Sequence, residues 1–160
     1  EGWFQDYKKI FWNRDDFQYG SKTKSSIHDL ISSGKKFIYF ASMQDLRGSG
    51  SVGGKFNKND AVFNTDWDLL IVDEAHEGTQ TELGQNVIKA ILESKIKTPK
   101  SLMLSGTPFN LLSHFESSDI YTWDYIMEQK AKLEWEINHP LEPNPYEDLP
   151  RMNIFTYKIL

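Results

Sequence analysis

Cysteine is absent from the 160 residues, so neither a disulfide framework nor a thiolate metal site is open to this chain. No stretch approaches the ~20 consecutive apolar residues of a membrane span, and no basic, apolar, small-residue run resembles a signal peptide. The expected setting is soluble and cytoplasmic, with no membrane partner. An excess of positive charge is lacking too: 18 Lys and Arg stand against 23 Asp and Glu, a formal net charge of -5. That excludes a surface that is basic throughout and leaves at most a local groove for nucleic acid. What is present is 39% hydrophobic and 14% aromatic residues, enough for one globular domain with its own core. The first residue is Glu and the last run is the apolar "NIFTYKIL", so a piece of a longer protein is expected.

Residues 1–36 read as an irregular or helical N-terminal segment. The aromatic and charged stretch 1–24 has no clean period; Ser25 or Ser26 then caps a short helix carrying Ile27, Leu30 and Ile31, which Gly34 ends. "KFIYFAS" reads as a strand. Residues 44–60 concentrate glycine and polar side chains and read as a loop, open to motion, that carries Arg47, Lys55 and Lys58. "DLLIVDE" reads as a strand buried on both faces. Thr79 with Glu82 forms a candidate capping box, and Leu83, Val87, Ala90 and Ile91 repeat at helical spacing down to about residue 94. "SLMLSG" is a third buried strand. This order predicts an α/β fold with a doubly wound, mostly parallel sheet over residues 37–138. Within that span a helix is expected over 121–137, with Trp123, Met127, Ala131 and Leu133 on one face. A proline-punctuated linker and a terminal strand "MNIFTYKIL" fill residues 139–160.

In an open α/β sheet, ligands sit outside the carboxyl ends of the strands, and Asp73 and Glu74 fall at such an end. Their side chains alternate to opposite sides of the strand, which does not suit a glycosidase. It suits nucleotide hydrolysis: Asp73 on the side of a hydrated magnesium, Glu74 beside the attacking water. An acidic pair that merely ends a strand in solvent is the alternative for so short a motif. A zinc-protease helix is excluded, because His76 and Glu77 are followed by Gly78, Thr79 and Gln80 and the second histidine is missing. "GSGSVGGKF" is not a phosphate loop either: Ser49 stands where the first glycine belongs, and Phe56 where the magnesium-binding hydroxyl belongs.

"WDLLIVDEAHEGTQTELG" together with "SLMLSGTPFN" resembles the first motor domain of superfamily-two helicases and translocases. "DEAH" is similar to their Walker B motif and "SGTP" to their motif III. "FIYFASMQDLRG" resembles the segment ahead of Walker B in ATP-dependent restriction enzymes, and within the superfamily the similarity is to type III and type I restriction motor subunits, over residues 37–160. The resemblance implies a RecA-like, P-loop NTPase fold with ATP and magnesium as cofactors. Asp73 is then a magnesium ligand through water and Glu74 the residue that activates the hydrolytic water. His76 links the nucleotide site to the second motor domain or to motif III, while Ser105 and Thr107 couple hydrolysis to domain movement through their hydroxyls. Gln44, Arg47, Lys55 and Lys58 become nucleic-acid contacts, beside the plainer reading of Lys55 and Lys58 as a solvated loop. Implied partners are DNA, as a duplex, a second motor domain, and a nuclease or modification subunit. No Walker A sequence is present, so the isolated chain is expected to be inactive. Two alternatives stay open: an RNA or DNA-repair helicase of the same superfamily, and a non-hydrolysing scaffold that binds DNA or partner proteins.

Overall fold

The computed structural model describes residues 2–78, 81–93 and 98–147. The chain divides into two compact units, Glu1–Leu112 and Ser113–Leu160, each described by itself.

The first unit begins with α1 (Gly2–Ile10) and β1 (Phe17–Ser21), where an irregular stretch was expected. The helical period is there after all, at Phe4, Tyr7 and Phe11, hidden among charged neighbours. These rings pack on the strand: Phe4 and Tyr7 lie 5.2 and 5.3 Å from Tyr19, and Phe11 lies 4.8 Å from Phe17. The Tyr7 hydroxyl donates to the Phe17 carbonyl at 2.9 Å, fixing helix to strand. β1 continues through α2 (Ile27–Ser32) into β2 (Lys36–Phe40), which pairs with it in parallel from Phe17 opposite Lys36 to Ser21 opposite Phe40. Ser26 caps α2 by accepting from the Asp29 amide, and Gly34, with φ 67°, turns the chain after it, both as the sequence implies. Gly20 permits the close crossing of helix over strand, since a Cβ there would lie 2.3 Å from Leu30 Cδ1.

After β2 come α3 (Met43–Arg47), a 3₁₀ turn (Gly50–Val52) and α4 (Asp60–Asn64). β3 (Leu69–Val72), α5 (Ala75–Gly78), α6 (Glu82–Leu92) and β4 (Lys100–Met103) complete a second crossover, with β3 and β4 parallel from Leu69 opposite Lys100 to Val72 opposite Met103. Thr81 caps α6, its hydroxyl accepting from the Gly84 amide at 3.1 Å; Thr79, the anticipated cap, and residue 94, the anticipated end, lie outside the described residues. Ile27, Leu46, Val52, Val62, Val87 and Ile91 form the core. Trp67 closes it, its indole N–H donating to the Val62 carbonyl at 2.8 Å and its ring meeting Phe37 edge-on.

The α/β class and the parallel pairing agree with the sequence. A continuous doubly wound sheet does not appear: among the described residues β1 and β2 form one two-stranded sheet, β3 and β4 another. Among the described residues, four or five rungs per pair leave strand edges without ladder partners. The outer face of the second pair keeps Leu69, Ile71 and Leu102 at 48%, 47% and 45% exposure, a face that parallel sheets ordinarily bury.

In the second unit, α7 (Tyr125–Asn138) starts four residues later than residue 121, because Asp124 caps it by accepting from the Met127 amide at 2.8 Å. Trp123 therefore lies outside the helix and donates its indole N–H to Glu128. Met127 and Leu133 are exposed, so the anticipated apolar face is not buried. Trp135 stacks on His139 at 4.1 Å, and the Asn144 amide donates to the Lys132 carbonyl, folding the start of the linker back on the helix. The anticipated terminal strand lies outside the described residues.

Candidate functional site

β3 ends at Val72, directly before the acidic pair, so Asp73 and Glu74 occupy a turn and not alternate positions of a strand. The Glu74 amide donates to Asp73 Oδ1 at 3.0 Å, and Glu74 itself adopts a left-handed backbone with φ 48°. The turn is nevertheless bonded to the neighbouring strand. Leu104 donates its amide to the Val72 carbonyl, and the fully buried Ala75 donates its own to the Leu104 carbonyl, each at 2.9 Å. This stitch carries both carboxylates just past the carboxyl end of the pair, the side on which α/β sheets take their ligands.

The same stitch brings together residues 29 apart in sequence. His76 Nδ1 lies 2.8 Å from Ser105 Oγ and 3.4 Å from Glu74 Oε2, and Ser105 Oγ also accepts from the Thr107 amide at 3.1 Å. Glu74, His76, Ser105 and Thr107 thus form one connected run across two strand ends. Thr107 bonds Ser105 through its main chain and lines an open hollow together with Glu74, His76, Glu77 and Gly106. Glu77 is a lining residue that sequence reasoning missed. Its signal is the i,i+3 spacing from Glu74, which becomes legible only once a helix is known to start at Ala75.

The four candidate nucleic-acid residues sit on α3 and the segment after it. Gln44 is exposed on α3, Arg47 is half-buried at its end, and Lys55 is exposed. Lys58 is held differently: its ammonium donates to Asp45 Oδ1 at 2.7 Å, and Lys22 donates to the same oxygen at 3.0 Å. The bonds from Lys58 and Lys22 hold the Asp45 carboxyl at a pKa of about 2. Lys58 is therefore tied to Asp45, but two ammonium groups share this one carboxylate, so the trio keeps a net positive charge. The expected open loop is in fact cross-bonded: Gly50 donates to the Phe56 carbonyl at 2.7 Å, Phe56 to the Gly48 carbonyl at 3.0 Å, and Gly54 to the Ser49 carbonyl at 2.7 Å. The buried Ser49 hydroxyl donates to the Lys58 carbonyl. Asp45 was missed as the organiser of this region because its lysine partners lie 13 and 23 residues away.

Comparison with known proteins agrees with the two motifs found together here. The family described as type III restriction enzyme, res subunit, matches residues 1–110. A putative type II restriction enzyme and methyltransferase of Mycoplasma pneumoniae (RM.MpnORF110P C-terminus) is 28% identical over 193 aligned positions, taking in 97% of this chain and 26% of that protein. The chain thus spans about a quarter of the length of that curated relative. No solved structure matches. The matched residues 1–110 include the turn at 73–76 and the hydroxyl residues at 105 and 107, and on that match the chain belongs to the type III restriction enzyme res-subunit family of helicase-like restriction subunits.

Proposed function

We propose that this chain is part of the ATP-binding motor of an ATP-dependent DNA helicase or translocase in a restriction-modification system, built as a RecA-like domain over residues 37–138 and working in the cytoplasm. Residues 139–160 would lead towards the second motor domain. The observation that carries this reading is the 2.8 Å contact between His76 Nδ1 and Ser105 Oγ, which ties the acidic turn after β3 to the hydroxyl turn after β4.

Magnesium-bound ATP, when held, supplies the phosphoanhydride and the positive charge that offsets its cleavage. Asp73, an exposed carboxylate, would hold the hydrated magnesium through water. Glu74 orients the attacking water and draws off its proton. His76 meets both Ser105 and Glu74 through the one nitrogen Nδ1, so a shift of either partner changes the contact with the other. Thr107, one bond further out, passes that change towards the second motor domain. Gln44, Arg47 and Lys55 contact phosphates of duplex DNA, which needs few cations and no basic surface overall. Lys58 contributes indirectly, through Asp45. The Mycoplasma pneumoniae relative is named as both restriction enzyme and methyltransferase, which supports a nuclease or modification partner for this motor.

The test is ATP turnover by the full-length protein with no nucleic acid, duplex DNA, single-stranded DNA and RNA in parallel. Stimulation of several-fold by duplex DNA is expected. Stimulation by RNA alone moves the assignment to an RNA helicase, and turnover indifferent to every polymer removes the motor reading.

A further inference from the structure

Phe56 is 62% exposed on a segment whose backbone is fixed from three sides. Its carbonyl accepts from the amides of Gly50 and Lys58, and its own amide donates to the Gly48 carbonyl at 3.0 Å. Ser49, fully buried, faces it in an isolated parallel bridge, and the buried Val52 anchors the same turn in the core. Gly54 has no room for a side chain, because a Cβ would lie 2.3 Å from the Gly48 carbonyl carbon. The ring is therefore held out in solvent by a rigid scaffold. Its surroundings are cationic and polar: Lys58 Nζ lies 5.4 Å from the ring centroid, and Lys55 and Asn57 are exposed on either side in sequence. Trp12 and Phe109 are more exposed, at 80% each, but among the described residues neither carries a cation over its ring.

We infer that Phe56 is a base-stacking contact for nucleic acid, its ring lying against the face of an unpaired or unstacked base while Lys55 meets the neighbouring phosphate. The inference rests on the nucleic-acid part of the proposed function. A flat apolar ring beside cations matches a base joined to a phosphate. A free anion has no use for the ring, and an apolar protein surface has no use for the cations. Rigid presentation lowers the ordering cost of binding.

The experiment is fluorescence-anisotropy titration of the full-length protein with a single-stranded oligonucleotide and with its duplex, repeated over a range of salt. A 2-aminopurine-labelled strand reports stacking directly. Phe56→Ala is expected to weaken single-strand binding by between about 5-fold and about 150-fold, to abolish the 2-aminopurine quench, and to leave the salt slope unchanged. Phe56→Trp restores both signals, whereas Lys55→Ala lowers the salt slope by about 0.7 to 0.9. All three bonds of Phe56 are main-chain, so the alanine variant keeps them, and an unchanged melting temperature verifies this. Wild-type affinity and quench in Phe56→Ala overturn the stacking role and leave the motor reading intact. A reduced salt slope without rescue by Phe56→Trp marks a disturbed loop and also overturns it. Failure of the wild-type protein to bind either strand or duplex overturns both.

Discussion

Glu74 holds a left-handed backbone at φ 48°, a conformation that costs a residue with a Cβ roughly 1 kcal/mol. Glycine at this position relieves that strain and removes the carboxylate at once. Glu74→Gly is therefore expected to keep or raise the unfolding free energy, by up to about 1 kcal/mol, while ATP turnover is lost; chemical denaturation beside an ATPase assay checks both halves. His76 and Ser105 share a hydrogen bond of 2.8 Å across two strand ends. A double-mutant cycle with His76→Ala and Ser105→Ala is expected to show a coupling of about 1 kcal/mol in stability, and additive effects would mean the contact is not made. The pair Asp73 and Glu74 was legible in the sequence because an apolar run ends abruptly in acids. The left-handed turn was not, because it follows from the stitch between residues 72, 75 and 104, which only tertiary pairing supplies.

At the scale of elements, the glycine-rich segment behaves as a bonded unit. Gly54→Ala forces a Cβ against the Gly48 backbone and is expected to cost roughly 2–4 kcal/mol, read as a fall in the denaturation midpoint. Asp45 gives the same region a pH signature. Its pKa falls from an ordinary 3.8 to about 2 in the folded protein, so its contribution is complete above the unfolded value and is lost as pH drops from about 3.8 to about 2. Asp45→Asn is expected to flatten the acid limb of a stability-against-pH curve in that window; an unchanged limb would show that the two lysine bonds contribute nothing there. β2, β3, α6 and β4 were legible as apolar or periodic runs between breakers. α1 and β1 were not, since their aromatic stripe alternates with charges and shows its period only against the strand it covers. The start of α7 was misjudged because aromatic residues suggested a face, whereas the side chain of Asp124 decided where the helix begins.

For the whole molecule, the class of fold and the family were legible from two motifs on consecutive parallel strands, and the family match bears the second out. The doubly wound sheet was an extrapolation from strand order. Pairing between distant strands is a property of the assembled chain, and among the described residues only two separate parallel pairs form. The sequence holds no Walker A motif, so the 160-residue chain by itself is expected to show no ATP turnover, a background assay that also guards against contaminating ATPases. The most direct measurement is magnesium-dependent ATP hydrolysis by the full-length protein with saturating duplex DNA, wild type beside Glu74→Gln, which keeps the shape of the side chain and removes its charge. DNA-stimulated turnover that drops by about 100-fold or more in the variant, with DNA binding retained, is the predicted result. Turnover absent from the wild type, or equal in the two proteins, would contradict the assignment of a motor site to the turn after β3.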